Sequence, residues 1–549
     1  MTDSKNRTNS ILVQGSILAI ASFISRLVGL IYRVPLTAII GKTGNDYYGT
    51  AYSVYSILLI ISSYSLPLAV SKLVSTRVAQ GEMKNARKMF RGAMLFAIIS
   101  GGTAGTILFA FADVFAGWLQ TPLAAIALRV LAPVLLVTAI VGVFRGFFQG
   151  MRTMIPTAVS QIIEQIANAV VSVLAAYFLF SYGAKVGAVL GNSEFGAAYG
   201  AAGGTLGTAT GCFAALIFMF ILYMMYKKTF NRKLRKDHTH KEESIGQVFH
   251  IILITVIPVI LSTTLYNITS LVEMYIFKNV AVAQEYPVRE ISEWWGVYNG
   301  EFLVLQNVPI SIASAMASTS VPALSASYAE GDRKGVRSQI RSVTRFIMAI
   351  SFPCMVGLMV LSQPLMVLLF GDADPISGKM LFYGALSVPF YSLSTLSNGI
   401  LQGIDKMKIP VRNAALTIIF HVLMLLVLMV VFHMNIFAVV IANIFNGLFL
   451  TILNDLSVKR YSGVRLNIKK TYLIPLLSAV IMGAFVYLAY FVVDYIVGIT
   501  AVSVLIATLV GMFSYFVLII KLKGITEDEL YRFPKGGTLI ALARKMHLL

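Results

Sequence analysis

Apolar residues in this chain gather into long runs separated by short polar stretches, with neither the alternation of a half-buried strand nor the narrow stripe of a soluble helix. Fourteen runs reach the ~20 residues that a helix needs to cross a bilayer. They fall at about 10–33, 48–78, 90–113, 122–147, 154–180, 197–226, 247–276, 300–325, 344–370, 379–403, 411–433, 435–457, 471–493 and 499–520. The pattern predicts an all-α polytopic membrane protein of about 14 transmembrane helices. Pro67 is expected to kink the second of them and open its backbone toward the bundle centre.

Composition narrows the function classes. Of 549 residues, 57% are apolar and only 12% are charged, and the mean hydropathy is +0.80. A soluble domain carries about 25% charged residues, so a cytosolic enzyme is excluded, and fourteen spans leave no large extramembrane domain. Cys212 and Cys354 both lie in apolar runs, where they build neither a disulfide framework nor a metal cluster. The polar start, Met1 to Ser10, precedes a long apolar run without a small-residue cleavage pattern. It reads as a retained first span rather than a signal peptide.

A net charge of +20 would suggest nucleic acid in a soluble protein. Here the basic residues read as topology determinants facing anionic lipid. If the N-terminus is cytoplasmic, the inner loops and tails hold most of the 44 Lys and Arg, while the outer loops and their edges hold Arg33, Lys42, Lys185, Lys278, Arg289 and Lys379. That asymmetry places both termini inside. The most polar stretch runs from Lys227 to Lys236 and on to His238 and His240. It reads as a hinge-like linker, and the two histidines as part of a solvated basic loop rather than a metal site.

An internal repeat supports a division at that linker. Ala79-Gln80-Gly81-Glu82 matches Ala329-Glu330-Gly331-Asp332 at an offset of 250, and Lys84, Arg87 and Arg91 match Lys334, Arg337 and Arg341 at the same offset. Gln149-Gly150 with Pro156 returns as Gln402-Gly403 with Pro410. Six spans per half is an even number, so the halves share one orientation and are expected to be related by a pseudo-two-fold axis along the membrane normal. The expected organisation is an N-terminal lobe at 1–226, a basic cytoplasmic linker at 227–245, a C-terminal lobe at 246–458, two further spans at 459–520 and a cytoplasmic tail at 521–549.

An ionisable side chain at membrane depth costs at least a few kcal/mol, so each must face a partner or a wet cavity. Arg26, Lys72, Arg129, Glu164 and Glu273 are the candidates. Arg129 and Glu164 lie on consecutive spans at roughly similar expected depths, either neutralising each other or working in a cavity. Gln161, Glu164, Gln165 and Asn168 follow helical spacing and form one polar stripe, which must face the interior. Similar stripes are Asn307, Ser311, Ser314 and Ser318 in span eight and Tyr391, Ser394, Asn398 and Gln402 in span ten, with helix-to-helix packing as the rival reading. Gly200, Gly203, Gly204, Gly207 and Gly211 fit close helix packing better than phosphate binding. His421, with Asn413 and Thr417 on its face, is a candidate proton acceptor or coupling site, against the plainer reading of a hydrogen-bonded structural histidine. No Ser/His/Asp set, carboxylate pair or zinc spacing occupies a water-accessible position, so no enzyme is expected.

Several strings resemble a known family. Ser25-Arg26-Leu27-Val28-Gly29 through Arg33, Gly44-Asn45-Asp46-Tyr47-Tyr48-Gly49, Leu66 to Val74, and Arg145-Gly146-Phe147-Phe148-Gln149-Gly150 with Pro156 to Gln161 and Glu164-Gln165 are similar to the polysaccharide-biosynthesis flippases of Gram-positive bacteria. That group includes the stage V sporulation protein B and YtgP types, MurJ-related members of the multidrug/oligosaccharidyl-lipid/polysaccharide exporter superfamily. The stretch from Glu527 to Gly536 resembles the family's C-terminal pattern. The resemblance implies a V-shaped pair of six-helix lobes with two extra helices, moving lipid-linked cell-wall precursors outward by alternating access. It implies that Arg26, Arg33, Asp46 and Lys72 surround a central cavity, with Asn307 the nearest polar residue to that family's span-eight cation.

The functional expectation is a flippase for an undecaprenyl-diphosphate-linked saccharide, lipid II or a related precursor, in the bacterial plasma membrane. Its cavity residues would be Arg26, Arg33, Asp46, Lys72, Arg129, Gln161, Glu164 and Asn307, since fixed cations are the natural partners of a diphosphate. The alternative is a cation-coupled multidrug exporter, which would want carboxylates in the first lobe. A membrane-embedded glycan polymerase or scaffold would need a large outer loop with catalytic carboxylates. The longest outer loop, Phe277 to Gly300, is short and reads as a lid with Trp294 and Trp295 at the membrane interface. No cofactor is expected beyond a coupling Na⁺ or H⁺ or the membrane potential. The expected partners are the lipid-linked glycan, membrane lipids and cell-wall synthesis machinery, with no nucleic acid, and the chain is expected to act as a monomer.

Overall fold

The computed structural model describes residues 2–151, 153–235, 237, 243–525 and 536–545. Every regular element among them is helical, and all fourteen predicted runs fall on helices. In order these are α1 (Thr2–Leu59), α2 (Leu66–Ala79), α3 (Met83–Ala110), α4 (Ala112–Trp118), α5 (Ala125–Gly150), α6 (Ile155–Leu190), α7 (Glu194–Arg235), α8 (Ile245–Ala283) and α9 (Val288–Val297). There follow α10 (Leu303–Ala329), α11 (Arg333–Val360), α12 (Ser362–Phe370), α13 (Pro375–Gly384), α14 (Val388–Gly403), α15 (Lys408–Leu426), α16 (Phe437–Ser462), α17 (Ile474–Val497), α18 (Thr500–Lys521) and α19 (Gly536–Lys545). Among the described residues, 10 helical stretches are long and apolar enough to cross a membrane, and one, Ile24–Ala79, holds two of the predicted spans.

The first two spans meet at Gly41, whose φ of 69° and ψ of −177° interrupt α1. Only a residue without Cβ adopts that combination at low cost. Span two is itself broken, with a wide turn at Ile60–Tyr64 and a restart at Leu66, where Pro67 sits in the first turn of α2. The expected kink is there because proline tolerates a helix's first turn and not its middle.

The internal repeat extends to the backbone. At the α2–α3 turn, the Gly81 N–H donates to Val78 O and the Glu82 N–H to Arg77 O; at the α10–α11 turn, Gly331 donates to Tyr328 O and Asp332 to Ser327 O. Gly81 and Gly331 carry φ values of 81° and 75°. The helices that follow, Met83–Ala110 and Arg333–Val360, keep the offset of 250 at both ends, and each leads into a short helix, α4 or α12.

The chain forms two compact units, Met1–Gly300 and Glu301–Leu549. In the first, Phe90 stacks in an aromatic cluster with Phe144, Phe147 and Tyr223 at ring separations of 4.8–5.7 Å. The α6–α7 seam is a close helix contact: a Cβ on Gly203 would stand 2.5 Å from Ala175 O, one on Gly207 2.0 Å from Ser172 Oγ, and one on Gly211 2.5 Å from Glu164 O. The glycine run is a packing device, as its spacing suggested. In the second unit, Ile340, Ile347, Leu396, Leu401 and Val458 share one core, and Met482, Val486, Val504 and Ala507 share another where α17 meets α18.

The basic run after span six differs from its expected form. Lys227 to Arg235 continue α7 as helix, because Phe230 and Leu234 pack into the first unit's core and hold the last turns in place. Beyond it, Asp237 Oδ2 accepts from the Lys84 N–H, and Glu243 pairs with Arg77 at 2.6 Å. Residues 238–242, with both linker histidines, lie outside the described residues, as does 527–535 of the tail motif.

Candidate functional site

The first unit gathers charge in three places. The deepest is built where the residues after Gly41 meet α8 and α9. Asp46, 0% exposed, forms an ion pair with Lys278, which is likewise fully buried. Ser292 Oγ donates to the second carboxylate oxygen at 2.7 Å, and Thr50 Oγ1 to the first at 3.2 Å. Small residues make the enclosure possible: a Cβ on Gly296 would lie 1.8 Å from Lys42 O, and one on Gly300 2.4 Å from the Asn45 side chain. Thr37 Oγ1 lies 3.2 Å from both Asn45 Oδ1 and Gly300 O. Asp46 was expected to line open space; it is sealed instead, since a carboxylate beside an apolar helix end is tolerated only when paired and hydrogen-bonded.

The second place is the stripe on α6. Glu164 pairs with Arg145 of α5 at 2.6 Å, with side-chain exposures of 29% and 14%. Arg145 Nε donates to Ser160 Oγ at 2.8 Å, and the Cys212 thiol lies 3.7 Å from the other carboxylate oxygen. Ser22 of α1 donates to Gln161 at 3.2 Å, Asn168 bonds Tyr32 at 3.4 Å, and the Gln165 amide abuts Gly29. The stripe therefore faces α1 and the interior, as its period required. Arg33 sits beside it, with its guanidinium 4.6 Å from the centre of the Tyr48 ring. Tyr48 stacks in turn on Tyr52 at 6.0 Å, so a cation–π contact disperses the charge. Arg26 and Lys72 are exposed on α1 and α2.

The third place corrects an expectation. Arg129 does not approach Glu164; it pairs with Asp113 of α4 at 2.5 Å, and both are exposed. The helices that carry the two residues are antiparallel about the turn near 151–154, so residues equidistant from that turn share a depth. Arg129 is about twelve residues farther from the turn than Glu164, or ~18 Å at 1.5 Å per residue. Counting from the turn would have named Arg145, which lies within a few residues of Glu164's depth. The sequence reading missed Arg145 as a site residue, as it missed Lys278 and Ser292, which reach Asp46 from more than two hundred residues away.

The short segment between α8 and α10 also packs differently from the expected lid. Trp295 is buried, stacked on Phe277 at 5.4 Å and against Tyr298 at 5.1 Å, while Trp294 meets the edge of Tyr286. A flat ring inside the fold buries more apolar area than one at an interface.

The second unit buries the carboxylates of Glu301 and Asp372 and a larger set of amides and hydroxyls. Asn413 Nδ2 donates to Asn454 Oδ1 at 2.9 Å and lies 3.2 Å from Ser457 Oγ, and Asn454 donates to Asn398 at 2.8 Å. Tyr391 OH donates to Asn443 at 2.9 Å and accepts from Asn446 at 3.0 Å. Thr417 Oγ1 donates to the Asn413 carbonyl, and His421, fully buried one turn on, has Nδ1 3.4 Å from Ala442 O. The three α15 residues thus share a buried face against α16. Asn307 is exposed on α10, and the Ser318 side chain lies outside the described residues. Among the described residues, no group of His, Cys, Asp and Glu is arranged to hold a metal ion. An apolar cavity of about 740 Å³ opens among α10, α11, α17 and α18, lined by Leu305, Phe346, Cys354, Met482, Tyr515 and Ile519.

Residues 11–328 match the family described as polysaccharide biosynthesis protein, and residues 302–427 match MatE. The lipid II flippase MurJ of Bacillus subtilis (strain 168) is 27% identical over 528 residues, covering 92% of this chain and 94% of the relative. Stage V sporulation protein B of the same organism is 24% identical over 534 residues, covering 95% and 98%. Among solved structures, lipid II flippase MurJ in an inward closed conformation superposes with a TM-score of 0.64 at 17% identity, covering 91% of this chain and 97% of that one. An inward-facing multidrug resistance MATE family transporter gives 0.59 at 14% identity, covering 80% and 96%. The fold is shared with both kinds of transporter.

Proposed function

Because the chain belongs to the polysaccharide biosynthesis protein family, we propose that it moves an undecaprenyl-diphosphate-linked saccharide, lipid II or a related precursor, from the inner to the outer leaflet by alternating access. The observation that carries this reading is the charge balance of the first unit at membrane depth. With Asp46 paired to Lys278, the candidate positions on α1, α2, α5 and α6 carry the cations Arg26, Arg33, Lys72 and Arg145 and the carboxylate Glu164. Such a surface suits a diphosphate, because guanidinium forks bind phosphate bidentately and ammonium adds a mobile charge.

In this reading Arg26, Arg33 and Lys72 bind the head group, Gln161 orients it, and Glu164 holds the cationic side of the cavity in place. Asn307 offers the saccharide a neutral contact from α10, and the apolar cavity of the second unit takes the isoprenoid chain. Arg129 screens the approach on the rim with Asp113. Asp46, with Lys278 and Ser292, works as the closure of the outer end, which must part for release. Asn413, Thr417 and His421 form the coupling element, for Na⁺, H⁺ or a response to membrane potential. The basic loops keep both termini cytoplasmic. The protein acts as a monomer beside the cell-wall synthesis machinery.

The test is reconstitution in vesicles with defined undecaprenyl-diphosphate glycans, read as exposure in the opposite leaflet. Arg26→Ala combined with Lys72→Ala should abolish flipping and leave insertion intact; full activity would remove these cations from the mechanism. The match to MatE over 302–427 favours a second reading, a cation-coupled exporter of cationic drugs, which the same vesicles test by drug accumulation. Orientation is checked with cysteines: Ser244→Cys should be shielded from an impermeant thiol reagent in intact cells and Glu290→Cys labelled.

A further inference from the structure

The Arg145–Glu164 pair is only partly enclosed, unlike the Asp46–Lys278 pair. Partial hydration weakens the attraction between the two side chains, so this pair opens at lower cost than the enclosed Asp46–Lys278 pair. Arg145 and Glu164 remain 14% and 29% exposed at membrane depth. Arg145 lies about 8 Å from the inner end of α5, and Glu164 about 14 Å from the start of α6, at 1.5 Å per residue. Charges held there face a wet surface and not lipid.

The geometry of the guanidinium adds a second point. Of its five N–H donors, the bonds to Glu164 at 2.6 Å and to Ser160 at 2.8 Å occupy one on Nη2 and the one on Nε. Three donors of the planar fork lie beyond those bonds. The backbone beneath is fixed, since a Cβ on Gly146 would stand 2.7 Å from Pro67 O and one on Gly150 2.7 Å from the Val74 side chain. Exchange of partners therefore needs only side-chain rotation. Glu164 keeps a weak donor when Arg145 turns away, the Cys212 thiol at 3.7 Å, so its carboxylate favours re-pairing.

We propose that Arg145 is a further anion-binding residue of the first unit, held by Glu164 as an internal counterion until the phosphate groups of an isoprenoid diphosphate displace it. This rests on the transport reading above. A diphosphate outcompetes Glu164 because it brings more negative charge and satisfies the fork from two oxygens. Once the ligand leaves, the freed Glu164 reclaims the guanidinium and the face is reset without an outside ion.

The experiment is equilibrium binding of farnesyl diphosphate, with farnesol as the uncharged control, to the full-length chain in lipid nanodiscs. Glu164→Gln removes the competitor and should tighten farnesyl diphosphate binding about tenfold, while Arg145→Gln should weaken it at least about tenfold, the scale of one charge-assisted hydrogen bond. The double variant should bind like Arg145→Gln. Farnesol binding should not change in any variant. Arg145→Lys guards against misfolding, since it keeps the charge and loses the fork, and it too should weaken binding. If wild type binds farnesyl diphosphate and Glu164→Gln, Arg145→Gln and Arg145→Lys all match it, the exchange is overturned while the transport reading stands. If wild type binds farnesyl diphosphate no better than farnesol, the transport reading fails and this proposal falls with it.

Discussion

The two units carry related helices and different polar chemistry. In the first, the interior groups are ions: Asp46 with Lys278, Glu164 with Arg145, and Arg33 over Tyr48. In the second, the connected network is made of amides and hydroxyls, with Asn398, Asn454 and Asn413 bonded in series and Tyr391 between Asn443 and Asn446, beside the buried carboxylates Glu301 and Asp372. A neutral ladder satisfies itself and fixes helix register at little desolvation cost. Ions in low dielectric store far larger energies, which a charged ligand can redirect. The difference teaches that two related helical units settle their interior polar groups by different means, ion pairing around Asp46 and Glu164 and an amide network around Asn454.

The comparison breaks most readily at the enclosed pair. Asp46→Ala and Lys278→Ala each strand a buried charge and should cost about 3–5 kcal/mol, with Asp46→Leu plus Lys278→Met recovering most of it. Thermal unfolding in detergent, followed by intrinsic tryptophan fluorescence, reads this directly. Singles that melt like wild type would show that the first unit does not depend on its ions.

A smaller loss is expected at the glycine seam. Gly207→Val drives a side chain into Ser172 and Asn168 and should cost about 1–3 kcal/mol by overpacking, seen as a lower melting temperature and a lower folded yield. Asn454→Leu probes the neutral ladder, and about 0.6–1.7 kcal/mol is the scale of such contacts in membranes. A loss as large as that of Lys278→Ala would erase the contrast between the units. Last, Arg289→Ala removes an exposed pairing with Glu293 within α9 and should leave melting unchanged, which sets the zero of the comparison.

Much of the architecture was legible in the chain because the bilayer imposes lengths. Each apolar run of spanning length became helix, the offset of 250 returned as matching turns at Gly81 and Gly331, and the glycine run became the α6–α7 seam. The stripe Gln161, Glu164, Gln165 and Asn168 faced inward since its period was that of a helix. Candidate residues fared unevenly. Arg26, Lys72 and Asn307 are exposed, whereas Arg129 is exposed in a pair with Asp113 and Asp46 is enclosed.

What the sequence determined by itself was therefore everything periodic or length-limited: the helices, their stripes, the repeat and the uneven distribution of basic residues. Partnership was decided only by the tertiary structure. Glu164 chose Arg145 over Arg129 because antiparallel packing fixes depth from the turn, a quantity the order of residues conceals. Asp46 chose Lys278 and Ser292 because helices far apart in the chain come together there. A charge's role follows from the groups in direct contact with it, since hydrogen bonding requires contact and desolvation is total or partial according to what encloses the pair.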